Sequence, residues 1–282
     1  VRRWAGLAVL LALAGCGSGA ATSSAPVRPP IVSTPARPAT GSPTTPPLST
    51  TATAARPPSR TASATGSPAA APTGTHSVPP LSAAARAAGL LDIRTLVPDA
   101  VVDLRYATTH NFVGVRLYPH DARCLVHRTM AHGLVVAARQ LRRAGYLLVF
   151  WDCYRPHAVQ VRMYENTPNP DWVARPGPYA YSHEAARSVD VTLAWAAPRA
   201  GCPTGRRDHG HCLLDMGTGF DDFTPRAYAY ATDGVSALAR ANRALLRHAM
   251  AAGGLSVYSG EWWHFDGPGA GVRRPILHVP LR

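Results

Sequence analysis

The sequence predicts an α+β protein: a single compact domain with a small, mostly antiparallel sheet flanked by helices, preceded by a disordered tether. Three observations predict it. Helical and strand-like patterns follow one another in mixed order, without an internal repeat. Two strand-like segments close the chain side by side. Ahead of all of them lies a long stretch with no apolar periodicity at all.

The chain of 282 residues opens "VRRWAGLAVLLALAGCGSG". A basic start, a short apolar run and small residues describe an export signal, residues 1–16. The run is too short to remain as a membrane-spanning helix. "LAGC" is similar to the bacterial lipobox, which makes Cys16 the lipidated first residue of the mature protein. The expectation is an exported protein, lipid-anchored to the outer face of the cytoplasmic membrane; the plainer alternative is a signal peptide cleaved nearby. Residues 17–84 are almost all Ala, Pro, Ser, Thr and Gly. They cannot bury enough surface to offset the entropy of ordering, so they read as a Pro-stiffened tether that holds the folded part at wall depth. Residues 85–282 suit one compact domain.

Within that domain, "VVDLRYA" alternates as a strand does. Residues 127–144 place Met130, Leu134, Ala138 and Leu141 at helical spacing, with Gly145 as the stop. "YLLVFWDCY" reads as a buried strand, and Arg155-Pro156 opens a second helix. "SVDVTLAW" is strand-like, and "DGVSALARANRALLRHAMAAGG" is a helix ending at a glycine pair. "LSVYSGEWWHFD" and "PILHVPL" read as the two closing strands.

The formal charge of +13 points to no nucleic acid partner. All 29 basic residues are arginine, and seven of them precede residue 92, where there is no acid. The rest of the chain has 22 Arg against 16 Asp and Glu, a net of +6, with no basic cluster interleaved with aromatics. Attraction to anionic wall polymers or lipid headgroups is the better use of that charge. Besides Cys16, four cysteines remain, Cys124, Cys153, Cys202 and Cys212, an even number in an exported domain. They allow three pairings. Cys202 and Cys212 flank a polar loop that a short bridge would close, which leaves Cys124 for Cys153. A four-cysteine zinc site is the alternative, although no CxxC knuckle is present.

Three polar clusters sit at the ends of apolar elements. "SHEAARSVDVTL" places His183 seven residues before Asp190, "EWWH" places Glu261 three before His264, and "WDCYRPH" puts Arg155 just past a buried strand. Two His and one Asp are a ligand set for catalytic zinc with a fourth position left for water. A Glu beside the metal can take the proton of that water and pass it to a leaving amine. Residues three apart on a straight strand face opposite sides. Glu261 and His264 can therefore share a site only if the chain breaks, and Ser259-Gly260 could supply the break. Trp262 and Trp263 would then wall the site or fill the core. Taken singly, each piece is weak: most histidines are surface residues, and a lone Arg155 is more often an ion-pair partner.

Together they resemble the zinc D-alanyl-D-alanine dipeptidases, the VanX-like branch of the M15 metallopeptidases. The resemblance runs from about Asp92 to the end, through "DLRYATTHNFVG", "LVFWDCYRPHAVQ", "SHEAARSVDVTL", "MGTGFDDF" and "EWWHF", in the family's order. It implies one Zn2+ per chain held by His183, Asp190 and His264, with Glu261 as general base and Arg155 steadying the oxyanion. It further implies Asp221 as the carboxylate that receives the dipeptide's ammonium group and Tyr106 as a residue lining that end. Tyr181, Ala186 and Ser188 stand where the family usually has Ser, Gly and Ala, and Tyr181 thereby enters the substrate-binding wall. The expected substrate is D-Ala-D-Ala or a related peptidoglycan-derived peptide. An exported enzyme cannot reach cytoplasmic D-Ala-D-Ala, so wall turnover or scavenging is the expected role. Two alternatives differ in outcome: a D,D- or L,D-carboxypeptidase on stem peptides, and a non-catalytic zinc-containing wall-binding lipoprotein. The second predicts loss of the base or the arginine, and both are present.

Overall fold

The computed structural model describes residues 78–282. The signal-like segment, Cys16 and the tether as far as residue 77 lie outside the described residues. The chain is already tied down at the edge of the stretch assigned to the tether. The Arg123 guanidinium donates to the carbonyls of Pro79 (2.8 Å) and Pro80 (2.9 Å) while its Nε pairs with Asp92 at 2.7 Å. Ser82 then caps α1 (Ala83–Ala87), its Oγ accepting from Ala85 N.

β1 (Leu90–Asp92) leads into α2 (Ile93–Leu96), which Asp92 caps through Arg94 N at 2.9 Å. β2 (Val101–Val102) is followed by β3 (Leu125–His127), α3 (Ala131–Arg143), β4 (Tyr146–Asp152) and α4 (His157–Asn166). β5 (Ser188–Trp195), the small hairpin β6 (Arg207–Asp208) and β7 (His211–Cys212), α5 (Ala237–Ala252), β8 (Ser256–Val257) and β9 (His264–Asp266) complete the order. The main sheet runs β2-β4-β5-β9-β8, with β2 parallel to β4 and every other pair antiparallel. The α+β class with a small, mostly antiparallel sheet is the architecture observed.

β4 and β5 occupy the middle because their sequences leave no wet face. Leu147–Trp151 and Val189–Ala194 are buried throughout, as strands covered on both sides must be. α3 and α5 pack on each other, burying Leu134 and Leu141 with Leu246 and Met250. Gly133 on α3 meets Gly253, the residue that caps α5: a Cβ at Gly133 would collide with the Gly253 carbonyl oxygen. Gly133→Ala is therefore expected to lower the melting temperature, because backbone rather than a flexible side chain blocks the added methyl.

Four elements differ from the sequence expectation, one of them "LSVYSGEWWHFD", which is two strands, β8 and β9, joined by a turn. "VVDLRYA" is a strand only to Val102; Asp103 N still donates to Phe150 O, and Arg105–Ala107 then turn as a 3-10 helix. That turn swings Tyr106 inward. The helix expected over residues 127–144 is α3 and begins only at Ala131, since Leu125–His127 pair with β1 instead. "PILHVPL" forms no strand: Pro275 and Pro280 lack the N–H a ladder needs, and this tail gives its carbonyls elsewhere. Leu277 O accepts from Tyr154 OH and Leu281 O from Arg123 N.

Cys124 is bonded to Cys153 and Cys202 to Cys212, so no four-cysteine metal site forms. The first bridge spans 29 residues and anchors the end of β4 beside β3. Replacing both Cys124 and Cys153 by Ser is expected to cost about 3 kcal/mol of unfolding free energy, read by denaturant titration.

Candidate active site

The sheet itself assembles the centre of the site. Asp190 on β5 is the cross-strand partner of Asp152 on β4 at one side and of His264 on β9 at the other. Directly opposed residues point to the same face, so three polar side chains line up at one end of the sheet. His183 joins them from the 3-10 turn Ser182–Ala185, which precedes β5. That turn closes at Ala186 with φ of 56°, a left-handed conformation that glycine adopts without strain. The family's usual glycine at this position thus has a physical reason, and alanine here carries a small cost.

His183 Nε2, Asp190 Oδ1 and His264 Nδ1 lie 3.0 to 3.2 Å from one another. Ligand atoms on one tetrahedral centre with bonds of about 2.0–2.1 Å keep nearly this spacing. The opposite nitrogens are held by fixed acceptors. His183 Nδ1 donates to Cys153 O at 2.8 Å, and His264 Nε2 donates to Asp266 at 3.0 Å. Each hydrogen bond turns the other ring nitrogen toward the triangle, as the outer shell of a metal site does. Burial alone would lower the His264 pKa, but hydrogen bonds to Asp190 and Asp266 push it up to about 10. The proton between His264 and Asp190 is the one a metal ion would displace. All three ligand candidates are buried.

A second group, Asp103, Asp208 and His209, also converges. Arg105 already occupies it, with Nε on Asp103 and Nη2 on Asp208 at 3.3 Å. A resident guanidinium repels a cation, so the buried His183–Asp190–His264 group is the better metal site.

Glu261 sits in the turn between β8 and β9, its Oε2 4.0 Å from His264 Nδ1. The strand does break where the sequence placed the break. Tyr258 N donates to His264 O, and Glu261 N donates back to Tyr258 O. Glu261 and His264 consequently face one site. Burial raises the Glu261 pKa to about 7, with His264 opposing the rise and Asp190 adding to it. The two tryptophans fill the core: both are buried, and Trp262 packs edge-on against Trp151 while its Nε1 donates to Thr218.

Arg155 follows β4 and is held rigidly. Its Nε and Nη2 reach Asp152 at 3.0 and 2.7 Å, and Nη1 reaches Gln160 at 2.7 Å. Asp152 in turn accepts from Tyr118 OH at 2.7 Å. Arg155 Nη2 is 3.9 Å from Asp190 Oδ2, so the cation stands beside the metal-ligand triangle. Tyr106 OH donates to Asp221 Oδ2 at 2.9 Å. Asp221, at φ of 54°, has its pKa raised well above the usual carboxylate range by burial and by Asp190 and Glu261. Tyr181 lies half-buried on the wall, next to Tyr179.

These residues share one cavity of about 590 Å³, whose wall includes Tyr106, Arg155, Tyr181, Asp221 and Glu261 together with the three ligand candidates. Asp152, Gln160 and Asp266 complete the machinery and went unassigned in the sequence. Asp152 and Asp266 had a readable signal, lying three residues before Arg155 and two after His264. Gln160 had none.

The profile of the peptidase family M15, described as D-ala-D-ala dipeptidase, matches residues 86–282. The chain is 34% identical over 188 residues to the D-alanyl-D-alanine dipeptidase of Escherichia coli (strain K12), covering 67% of this chain and 89% of that protein. It is 30% identical over 177 residues to the D-alanyl-D-alanine dipeptidase of Enterococcus faecium, covering 58% and 83%. The protein of that name from Streptomyces coelicolor is 30% identical over 181 residues, also covering 58% and 83%. The buried ligand triangle with its adjacent carboxylate and guanidinium falls wholly inside the matched region, and the chain belongs to the M15 peptidase family as a metallopeptidase.

Proposed function

We propose that this metallopeptidase hydrolyses D-alanyl-D-alanine and related D-amino dipeptides, with zinc held by His183, Asp190 and His264. The observation that carries the reading is the placement of Glu261 and Arg155 on either side of that triangle in one cavity. The names borne by the relatives supply the substrate.

When bound, zinc supplies Lewis acidity, which acidifies water and polarises a carbonyl. The remaining work falls to the chain. Glu261, ionised, takes a proton from the attacking water at its carboxylate and returns it to the departing amine. Arg155 keeps N–H groups free beyond those bound to Asp152 and Gln160, and they meet the negative charge that grows on the carbonyl oxygen. Asp221, oriented by Tyr106, receives the substrate ammonium. A chelator is expected to abolish turnover, and added Zn2+ to restore it. The base must be ionised, so kcat/KM is expected to fall with decreasing pH. A bound dication replaces the His264 proton with a larger positive charge and opposes the rise that burial causes at Glu261, so the acid limb should have its midpoint at or below about 7. A limb well above that value would remove Glu261 as the titrating base.

A D,D-carboxypeptidase acting on stem peptides is the second reading, favoured by the cavity volume, which is in the range of ligands larger than a dipeptide. Cleavage of a stem pentapeptide alongside D-Ala-D-Ala would select it. We place the protein outside the cytoplasmic membrane, lipid-anchored through Cys16, and acting in wall turnover. Cys16→Ala is expected to release the protein from the membrane fraction; an unchanged distribution would refute the anchor.

A further inference from the structure

We propose that Arg175 is the residue that recognises the free carboxylate of the substrate, an assignment that rests on the peptidase reading above. The cavity poses an electrostatic problem for any substrate with an anionic end. Its wall carries Asp171, Glu184, Asp190, Asp221, Glu261 and Asp266. A carboxylate entering among them needs a cation of its own, placed away from the end that takes the ammonium group.

Two arginines line the cavity, Arg155 and Arg175. Arg155 is committed to Asp152 and Gln160 and stands beside the ligand triangle, where charge develops during the reaction. Arg175 makes no ion pair among the described residues; its guanidinium rests over the Tyr164 ring, 5.4 Å from the centroid. It is exposed on the wall and keeps its planar fork of donors for a ligand, the geometry that suits a carboxylate best.

The segment bearing Arg175 is also fixed to the reaction centre. Gln160 accepts from Arg155 Nη1 at 2.7 Å and donates through Nε2 to Ala174 O at 2.6 Å. Asp152, Arg155, Gln160 and Ala174 thus form one hydrogen-bonded row, and Arg175 is the next residue along the chain. Pro176 follows directly and restricts the Arg175 backbone to extended conformations. The backbone that carries the guanidinium is thus set before a ligand binds, and the Tyr164 ring supports the side chain. A zwitterionic dipeptide is then bracketed. Its ammonium lies at Asp221, its scissile carbonyl at Arg155 and the ligand triangle, and its carboxylate at Arg175.

The test compares D-Ala-D-Ala with its C-terminal amide, which is nearly the same shape without the charge. For the zinc-loaded full chain, Arg175→Gln is expected to raise KM for the acid by about 10- to 100-fold, the worth of a charge-assisted contact, with kcat little changed. KM for the amide should not move, and Arg175→Lys should recover part of the loss on the acid. Affinities for the acid and the amide are measured by calorimetry in a Glu261→Gln background, with and without Arg175→Gln. There the second substitution should weaken only the acid. Equal binding of the acid with and without Arg175, or an equal loss for acid and amide, would overturn the assignment. A wild-type chain that cleaves neither compound would count against the proposed function, and the calorimetric comparison would still decide the role of Arg175.

Discussion

Glu261→Gln is expected to lower kcat on D-Ala-D-Ala by about a hundred- to ten-thousand-fold, the contribution of a positioned general base, while leaving the metal in place. The amide keeps the size of the side chain but cannot accept the proton of water. Glu261 is not one of the three atoms of the triangle; its nearest oxygen is 4.0 Å from His264 Nδ1. Zinc content per chain should therefore equal that of the wild type. His264→Ala separates the roles from the other side, since it removes one of three ligand atoms and should lose both metal and turnover. A Glu261→Gln enzyme with near-normal kcat would transfer the base to another group. A His264→Ala protein that still holds one equivalent of zinc would refute the ligand set.

Removing the Arg155 side chain is expected to be nearly as severe, about a hundred- to a thousand-fold in kcat, on the scale of a lost oxyanion donor. Arg155→Lys should recover little of it, because the guanidinium makes three separate contacts that an ammonium cannot reproduce in the same plane. Asp152 extends the prediction. Its carboxylate is fully buried and holds both Arg155 and Tyr118, so Asp152→Asn takes from a buried guanidinium its nearest counter-charge and leaves only Asp190 at 3.9 Å. Breaking a buried pair in this way costs about 3–5 kcal/mol of stability. Asp152→Asn should therefore lower both the melting temperature and kcat. Arg155→Ala breaks the same pair from the other side and leaves the Asp152 carboxylate buried, so its rate is read together with its melting temperature.

Much of this was legible in the sequence, for reasons that can be named. β5 was readable to the residue because "SVDVTLAW" alternates small polar with apolar side chains and is rich in strand formers. α5 was readable because its apolar positions keep helical spacing up to Gly253. The ligand candidates were legible because spacing is local and their chemistry restricts the residue types. Cross-strand register was not. Nothing in the order of residues announces that Asp152, Asp190 and His264 align across three strands, so the only legible sign of Asp152 was its place three residues before Arg155. Gln160 is invisible for the same reason: its two partners, Arg155 and Ala174, lie in different segments and meet only in the fold. "VVDLRYA" misled because alternation continues past Val102, where the chain abandons the sheet to place Tyr106 against Asp221. "PILHVPL" misled because apolar content outweighed two prolines. Cys16 and the tether rest on composition and motif, outside the described residues.

The most direct test is D-alanine release from D-Ala-D-Ala by the purified chain, before chelation, after it, and after Zn2+ is restored, with L-Ala-L-Ala alongside. The expected result is turnover of the D,D-dipeptide alone, lost with the metal and recovered with zinc. Hydrolysis that survives complete metal removal, or zinc bound at one equivalent with no hydrolysis of D-Ala-D-Ala, would contradict the zinc dipeptidase.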